Sequence, residues 1–132
     1  MLACTRENLE IIKILVENNA NIYQVNKDGW NCMQIAVREG REKIVSYLLS
    51  LDINLAFGVK TKNGRTPLHT ACLHGHFNVI KLILNKFSDD SKKRHEMLNY
   101  KDTCGMTPLS EAILADHLEI VEYLIENYSV KF

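Results

Sequence analysis

Arg65-Thr66-Pro67-Leu68-His69 decides the reading of this chain. Its core returns as Thr107-Pro108-Leu109, and a degraded form, Asn31-Cys32-Met33, precedes both. The starts lie 35 and 41 residues apart. An earlier copy lacks its opening and aligns Leu2-Ala3 with Ile35-Ala36, 33 residues on. A period in the low thirties predicts a stacked array of small units in place of one closed core. Such arrays mostly bind other molecules through extended surfaces, so the repeat speaks about a class of function and does not name a partner.

Each unit is readable as physics. Asn63-Gly64 is a turn signal, with Gly64 supplying a backbone angle that other residues resist. Thr66 suits a helix N-cap and Pro67 the first helical position. A short first helix runs through Leu68, Ala71 and Cys72, whose small side chains let neighbouring helices approach, and Gly75 ends it. A second helix follows with Val79, Ile80, Leu82, Ile83 and Leu84. The same apolar run recurs at Ile11–Val16, at Ile44–Leu49 and at Ile120–Ile125. A helix apolar on more than one side is one sandwiched between neighbours. The fold predicted is all-α.

The stretch Gly64–Cys72, with Gly75-His76 and Val79-Ile80-Lys81-Leu82, resembles the ankyrin repeat. The resemblance covers nearly the whole chain in about four units: 1–25 (truncated at its start), 26–60, 61–101 (with an extended loop) and 102–132. It implies a single solenoid domain of helix-turn-helix units joined by hairpin-like turns. It also implies a non-enzymatic module that binds a partner protein across the concave face, through the turn tips and the first helices. A closer likeness within the family rests on Asn26-Lys27-Asp28-Gly29-Trp30-Asn31, Ile35-Ala36, Arg38-Glu39-Gly40 and Cys104-Gly105. It implies, as an alternative, an adaptor of alanyl-tRNA synthetase. A third reading is a structural segment of a larger multidomain protein.

Composition sets bounds. Sixteen Lys and Arg balance sixteen Asp and Glu, so no global field draws the chain to nucleic acid or to an anionic membrane. No apolar run approaches the length of a transmembrane helix. Cys4 and Cys72 stand two units apart, as do Cys32 and Cys104. At ~8–10 Å per stacked helix, neither pair reaches the ~7 Å Cα separation of a disulfide. Four unpaired thiols predict an intracellular chain, cytoplasmic or nuclear. His69, His76 and His117 stand where ankyrin repeats use histidine to tie down backbone, and no Cys or His pair has zinc-ligand spacing. Neither metal nor cofactor is predicted. Glu111 has no carboxylate or nucleophile with a predictable place beside it, so it reads as a solvated or paired residue and not as a catalytic one. Lys92-Lys93-Arg94-His95 reads as a solvated loop, its field diluted by Asp89, Asp90 and Glu96.

Departures from the pattern are informative. Cys32 replaces the proline, Glu7 and Asp116 replace the glycine between helices, and Gln34 and Ser110 stand where His69 stands. The longer third interval places extra residues in Phe87–Tyr100, read as a loop whose end folds back through Met97, Leu98 and Tyr100. Neither end carries a polar capping repeat, which predicts a fragment of a longer array or self-association through uncapped ends.

Position within the unit nominates the binding residues. Trp30, Arg65 and Met106 follow the turn glycines. Arg38, Leu73 and Leu114 stand on the first helices, with Glu39 and His74 beside them. Trp and Arg are enriched at binding hot spots, and Trp30 and Arg65, adjacent in the stack, are the expected anchors and a candidate cation–π pair.

Overall fold

The computed structural model describes residues 9–57 and 60–128. Expectations that fall on Met1, Cys4, Glu7 and Phe132 lie outside those residues. The described residues form eight α-helices and no strand. These are α1 (Leu9–Glu17), α2 (Cys32–Arg38), α3 (Glu42–Leu51), α4 (Pro67–His74), α5 (Phe77–Asn85), α6 (Ser91–Leu98), α7 (Pro108–Leu114) and α8 (Leu118–Tyr128), with a 3-10 turn at Ile53–Ala56. The short helices α2, α4 and α7 stack in one layer, and α1, α3 and α5 in a second. Phe77 and Tyr123 join α5 to α8 with ring centroids 5.0 Å apart. Helices α2, α4 and α7 pack on α3, α5 and α8 respectively. This is the all-α solenoid that the repeat predicts.

The short helices start where their caps dictate. Thr66 holds an extended backbone and its side chain accepts from the His69 N–H, while the His69 ring accepts from the Thr66 N–H at 3.2 Å. Asn31 and Gln34 make the same reciprocal box, with both bonds at 2.9 Å. Gln34 thus does the local work of His69, which is why the cap survives without a histidine. Thr107 caps α7 through the Ser110 N–H at 3.2 Å. Pro67 and Pro108 occupy the first turn, where a missing N–H removes no helical bond.

The stops are equally regular. Gly40 (φ 70°) and Gly75 (φ 73°) turn the chain in the left-handed region. Asp116, in the glycine's place, adopts the same conformation with φ 62°. Aspartate is among the few side chains that tolerate it, so the turn is kept at a modest local cost.

Packing follows columns across the units. Ala36, Ala71 and Ala112 are all fully buried, which allows the short helices to approach closely. Met33, Leu68 and Leu109 form a second buried column, and Leu48, Ile83 and Leu124 a third. Each unit therefore buries the face of its neighbour.

Two expectations are corrected. Phe87–Tyr100 is not a plain loop: it contains α6, capped by Asp90, whose Oδ1 accepts from the Lys93 N–H at 3.0 Å. Its end folds back as expected. Met97 and Leu98 are buried, and the Tyr100 ring stands edge-on to Phe57 at 5.3 Å. The second correction is Cys32, which is disulfide-bonded. The free thiols among the described residues are buried Cys72 and exposed Cys104. The spacing comparison covered only cysteines two units apart.

Candidate interaction surface

The turn tips share one construction. Asn26, Thr61 and Asp102 stand four residues before Trp30, Arg65 and Met106. In each tip the first residue's N–H donates to the last residue's carbonyl, at 2.9, 3.0 and 3.0 Å. The first side chain then accepts from the last residue's N–H: Asn26 Oδ1 from Trp30, Thr61 Oγ1 from Arg65, and Asp102 Oδ1 from Met106. Sequence reasoning passed over this column. Its signal was an Asx residue three before glycine, at Asn26–Gly29 and Asp102–Gly105.

Histidines latch one unit to the next. His69 Nε2–H donates to the Met106 carbonyl at 2.8 Å, while its Nδ1 is committed to Thr66. Those two bonds define a neutral ring with the proton on Nε2. Burial, and secondarily the Arg65 charge, lower the His69 pKa from its ordinary value. His76 Nε2–H donates to the Arg38 carbonyl at 2.8 Å, and His117 Nε2–H to the Leu73 carbonyl at 2.9 Å. Both rings pass directly over a turn glycine. A Cβ on Gly40 would meet His76 at 2.7 Å, and one on Gly75 would meet His117 at 2.7 Å.

Arg65 turns inward. Its Nη1 contacts Glu111, and Asp102 Oδ2 at 3.3 Å. The arginine side chain is 18% exposed, and its two acidic partners are nearly fully buried. Glu111 is thus a paired residue on the stacked helix, not a solvated one. The expected Trp30–Arg65 cation–π pair does not form. Two carboxylates in a poorly hydrated site attract a guanidinium far more strongly than a ring quadrupole does. Trp30 instead lies half-buried under Arg38, whose guanidinium carbon is 5.4 Å from the ring centroid. Arg38 Nε also pairs with Glu39 Oε1 at 3.1 Å.

The remaining nominated residues fall into one row across the ends of α2, α4 and α7. Arg38, Leu73 and Leu114 align along it, with Leu73 at 37% and Leu114 at 74% exposure. His74 stands beside Leu73 and stacks on His76 with centroids 6.2 Å apart. Burial, then the neighbouring His76 and Arg38, lower the His74 pKa. Met106 is half-buried. The row therefore runs from a cationic, aromatic end at Trp30 and Arg38 to an apolar end at Leu114. Among the described residues no three His, Cys, Asp or Glu side chains converge to hold a metal ion. Nor is any described helix long and apolar enough to cross a membrane.

Stacked helix pairs and histidine latches repeated from unit to unit define a helical repeat protein. The chain belongs to the ankyrin-repeat family: the family description "Ankyrin repeats (3 copies)" matches residues 1–57 and 54–131. Ankyrin repeats generally mediate protein–protein interaction and are typically non-enzymatic. The chain is similar to an ankyrin repeat protein of Acanthamoeba polyphaga mimivirus, 35% identical over 92 residues, 70% of this chain and 29% of that one. It is also similar to the E3 ubiquitin-protein ligase XBAT33 of Arabidopsis thaliana, 32% identical over 90 residues, 68% of this chain and 17% of that one. The Notch-regulated ankyrin repeat-containing protein of Homo sapiens is 44% identical over 43 residues, 33% of this chain and 38% of its own. The chain spans less than a third of the length of the first two relatives.

Proposed function

We propose that this chain is a non-enzymatic module that holds a partner protein across the face built from the turn tips and the ends of α2, α4 and α7. The observation that carries the reading is the Arg38–Leu73–Leu114 row, which exposes two leucines beside the Trp30–Arg38 stack. Exposed apolar side chains in a row, with an aromatic and an arginine at one end, supply the anchor types that dominate protein interfaces. Glu39, His74 and Met106 border the row. Arg65 serves it indirectly, holding the second and third tips in register through Asp102 and Glu111.

A photo-crosslinking amino acid placed at Leu73 or Leu114 in native cells should capture a partner that the same group at exposed Asn78 or Asn85 of α5 does not. Capture from α5 and not from the row would refute the assignment. The identity of the captured protein separates the alternatives: alanyl-tRNA synthetase would favour the adaptor reading, and only intramolecular products within a longer chain would favour a structural segment. An intracellular setting, cytoplasmic or nuclear, belongs to the same proposal. The disulfide at Cys32 removes the thiol argument for it, so imaging of the tagged chain in its own cells is the test.

A further inference from the structure

Asn63 and Gly64 do more than turn the chain. They are the only Asn-Gly pair in the sequence. Such a pair carries a reaction of its own. The backbone nitrogen of the glycine is unhindered for want of a Cβ, and it can attack the side-chain carbonyl carbon of the preceding asparagine. A carbon–nitrogen bond forms, the Cγ–Nδ2 bond breaks, and ammonia leaves with the proton that the backbone nitrogen gives up. Water then opens the resulting cyclic imide at either carbonyl. The products are aspartate, or isoaspartate, in which the main chain runs through the side-chain carbon. Water is the only co-reactant.

The fold presents this pair and restrains it at once. Asn63 is exposed in the tip between Thr61 and Arg65, and among the described residues nothing hydrogen-bonds its side-chain amide. Asparagines in comparable places are tied down: Asn26 Oδ1 accepts from the Asp28 and Trp30 N–H groups, and Asn31 Oδ1 from the Gln34 N–H. In the third tip it is the peptide unit between Asn63 and Gly64 that is held, at both ends. Its carbonyl accepts from the Thr103 N–H at 3.0 Å, and its N–H donates to the Thr61 carbonyl at 2.9 Å. Gly64 also lies against the fourth tip, where an added Cβ would stand 3.6 Å from Thr103 N. Ring closure has to rotate this peptide unit to bring the nitrogen onto Cγ. Both bonds must open first, and the one from Thr103 comes from the next unit.

The product undoes what restrains it. Isoaspartate adds a backbone carbon inside the span over which Thr61 holds Gly64 and Arg65. A lengthened span displaces Arg65 from Asp102 and Glu111. A new carboxylate also appears beside it.

We propose that Asn63 is a site of spontaneous, irreversible deamidation through attack by the Gly64 nitrogen, gated by the Thr103 latch and uncoupling the third and fourth tips once it occurs.

The test incubates the full chain at mildly alkaline pH, where loss of the backbone proton is favoured. Asn63 is read by peptide mapping with a fragmentation that separates aspartate from isoaspartate. In urea, Asn63 should convert faster than every other asparagine of the chain. Folded, it should convert at least about tenfold more slowly than in urea, because the reaction then waits for local opening. Thr103→Pro removes the latching N–H at the second position of its turn, a position that proline suits. It should speed conversion in the folded chain at least about fivefold, at unchanged helical content and an unchanged rate in urea. Thr103→Ser keeps the N–H and should match the parent. In the aged parent the Thr103 amide hydrogen should exchange faster than before ageing. The same ageing of Asn63→Gln, whose longer side chain closes a ring far less readily, should leave it slow. Equal rates folded and in urea, or Asn63 intact in urea while other asparagines convert, overturns the proposal. So does a Thr103→Pro chain no faster than Thr103→Ser, or an aged parent whose Thr103 amide exchanges as slowly as that of Asn63→Gln.

Discussion

Replacing Arg65 with methionine should destabilise the array severely, for electrostatic and not packing reasons. Methionine keeps the aliphatic length and removes the charge. Asp102 retains the N–H groups of Cys104 and Met106, at 2.8 and 2.9 Å, so part of its charge stays solvated by backbone. The larger loss falls on Glu111, whose side chain is 7% exposed. Removing one partner of a buried ion pair costs about 3–5 kcal/mol. A domain of this size has a total stability of only ~5–15 kcal/mol. Urea unfolding followed by circular dichroism should therefore show Arg65→Met with its midpoint far below the parent. The double variant Arg65→Met/Glu111→Leu should recover to within about 1.5 kcal/mol, because a buried ion pair exchanged for apolar side chains of similar volume is often neutral. An Arg65→Met variant within about 1 kcal/mol of the parent would refute the reasoning, as would a double variant no more stable than the single.

Three further outcomes are expected. His69 has a lowered pKa in the fold, so the folded state binds fewer protons than the unfolded chain as pH falls. Stability should be fully present above the unfolded value of about 6.5 and decline below it, and His69→Gln should flatten that slope in unfolding titrations. Gly75→Ala should cost more than Gly105→Ala by about 1–3 kcal/mol, since a Cβ meets the His117 ring at the first site and nothing within 4 Å at the second. Burial raises the pKa of the Cys72 thiol, so in the native state a disulfide-exchange reagent should label exposed Cys104 promptly and Cys72 only after unfolding.

The array and its class were legible because helix starts, glycine stops and apolar columns are local chemistry repeated at a fixed period. Thr66-Pro67 and Thr107-Pro108 begin helices as read, and His76 and His117 tie down backbone as read. The direction of Arg65 was not legible. A column alignment says which residues are equivalent, but Asp102 and Glu111 lie 37 and 46 residues away, and neither is unusual alone. Helix α6 was hidden for a related reason: the repeat template has no position for it. Its own signals were Asp90 as a cap and Met97-Leu98 as an apolar end. Whether the Arg38–Leu73–Leu114 row binds is a matter of chemistry outside the chain, and sequence speaks only to its placement.

The columns that stack the units are unevenly filled. Helix α1 contributes one buried residue, Ile12, whereas α3 contributes Ile44, Val45, Leu48 and Leu49. In a row of plates where each touches only its neighbours, that imbalance sets an order of opening. Amide hydrogens of α1 should exchange with solvent through local excursions that leave α4 and α7 closed. Exchange in the Arg65-linked tips should await disruption of the whole stack. The contrast makes α1 the looser part of the described stack and the Arg65-linked tips its keystone.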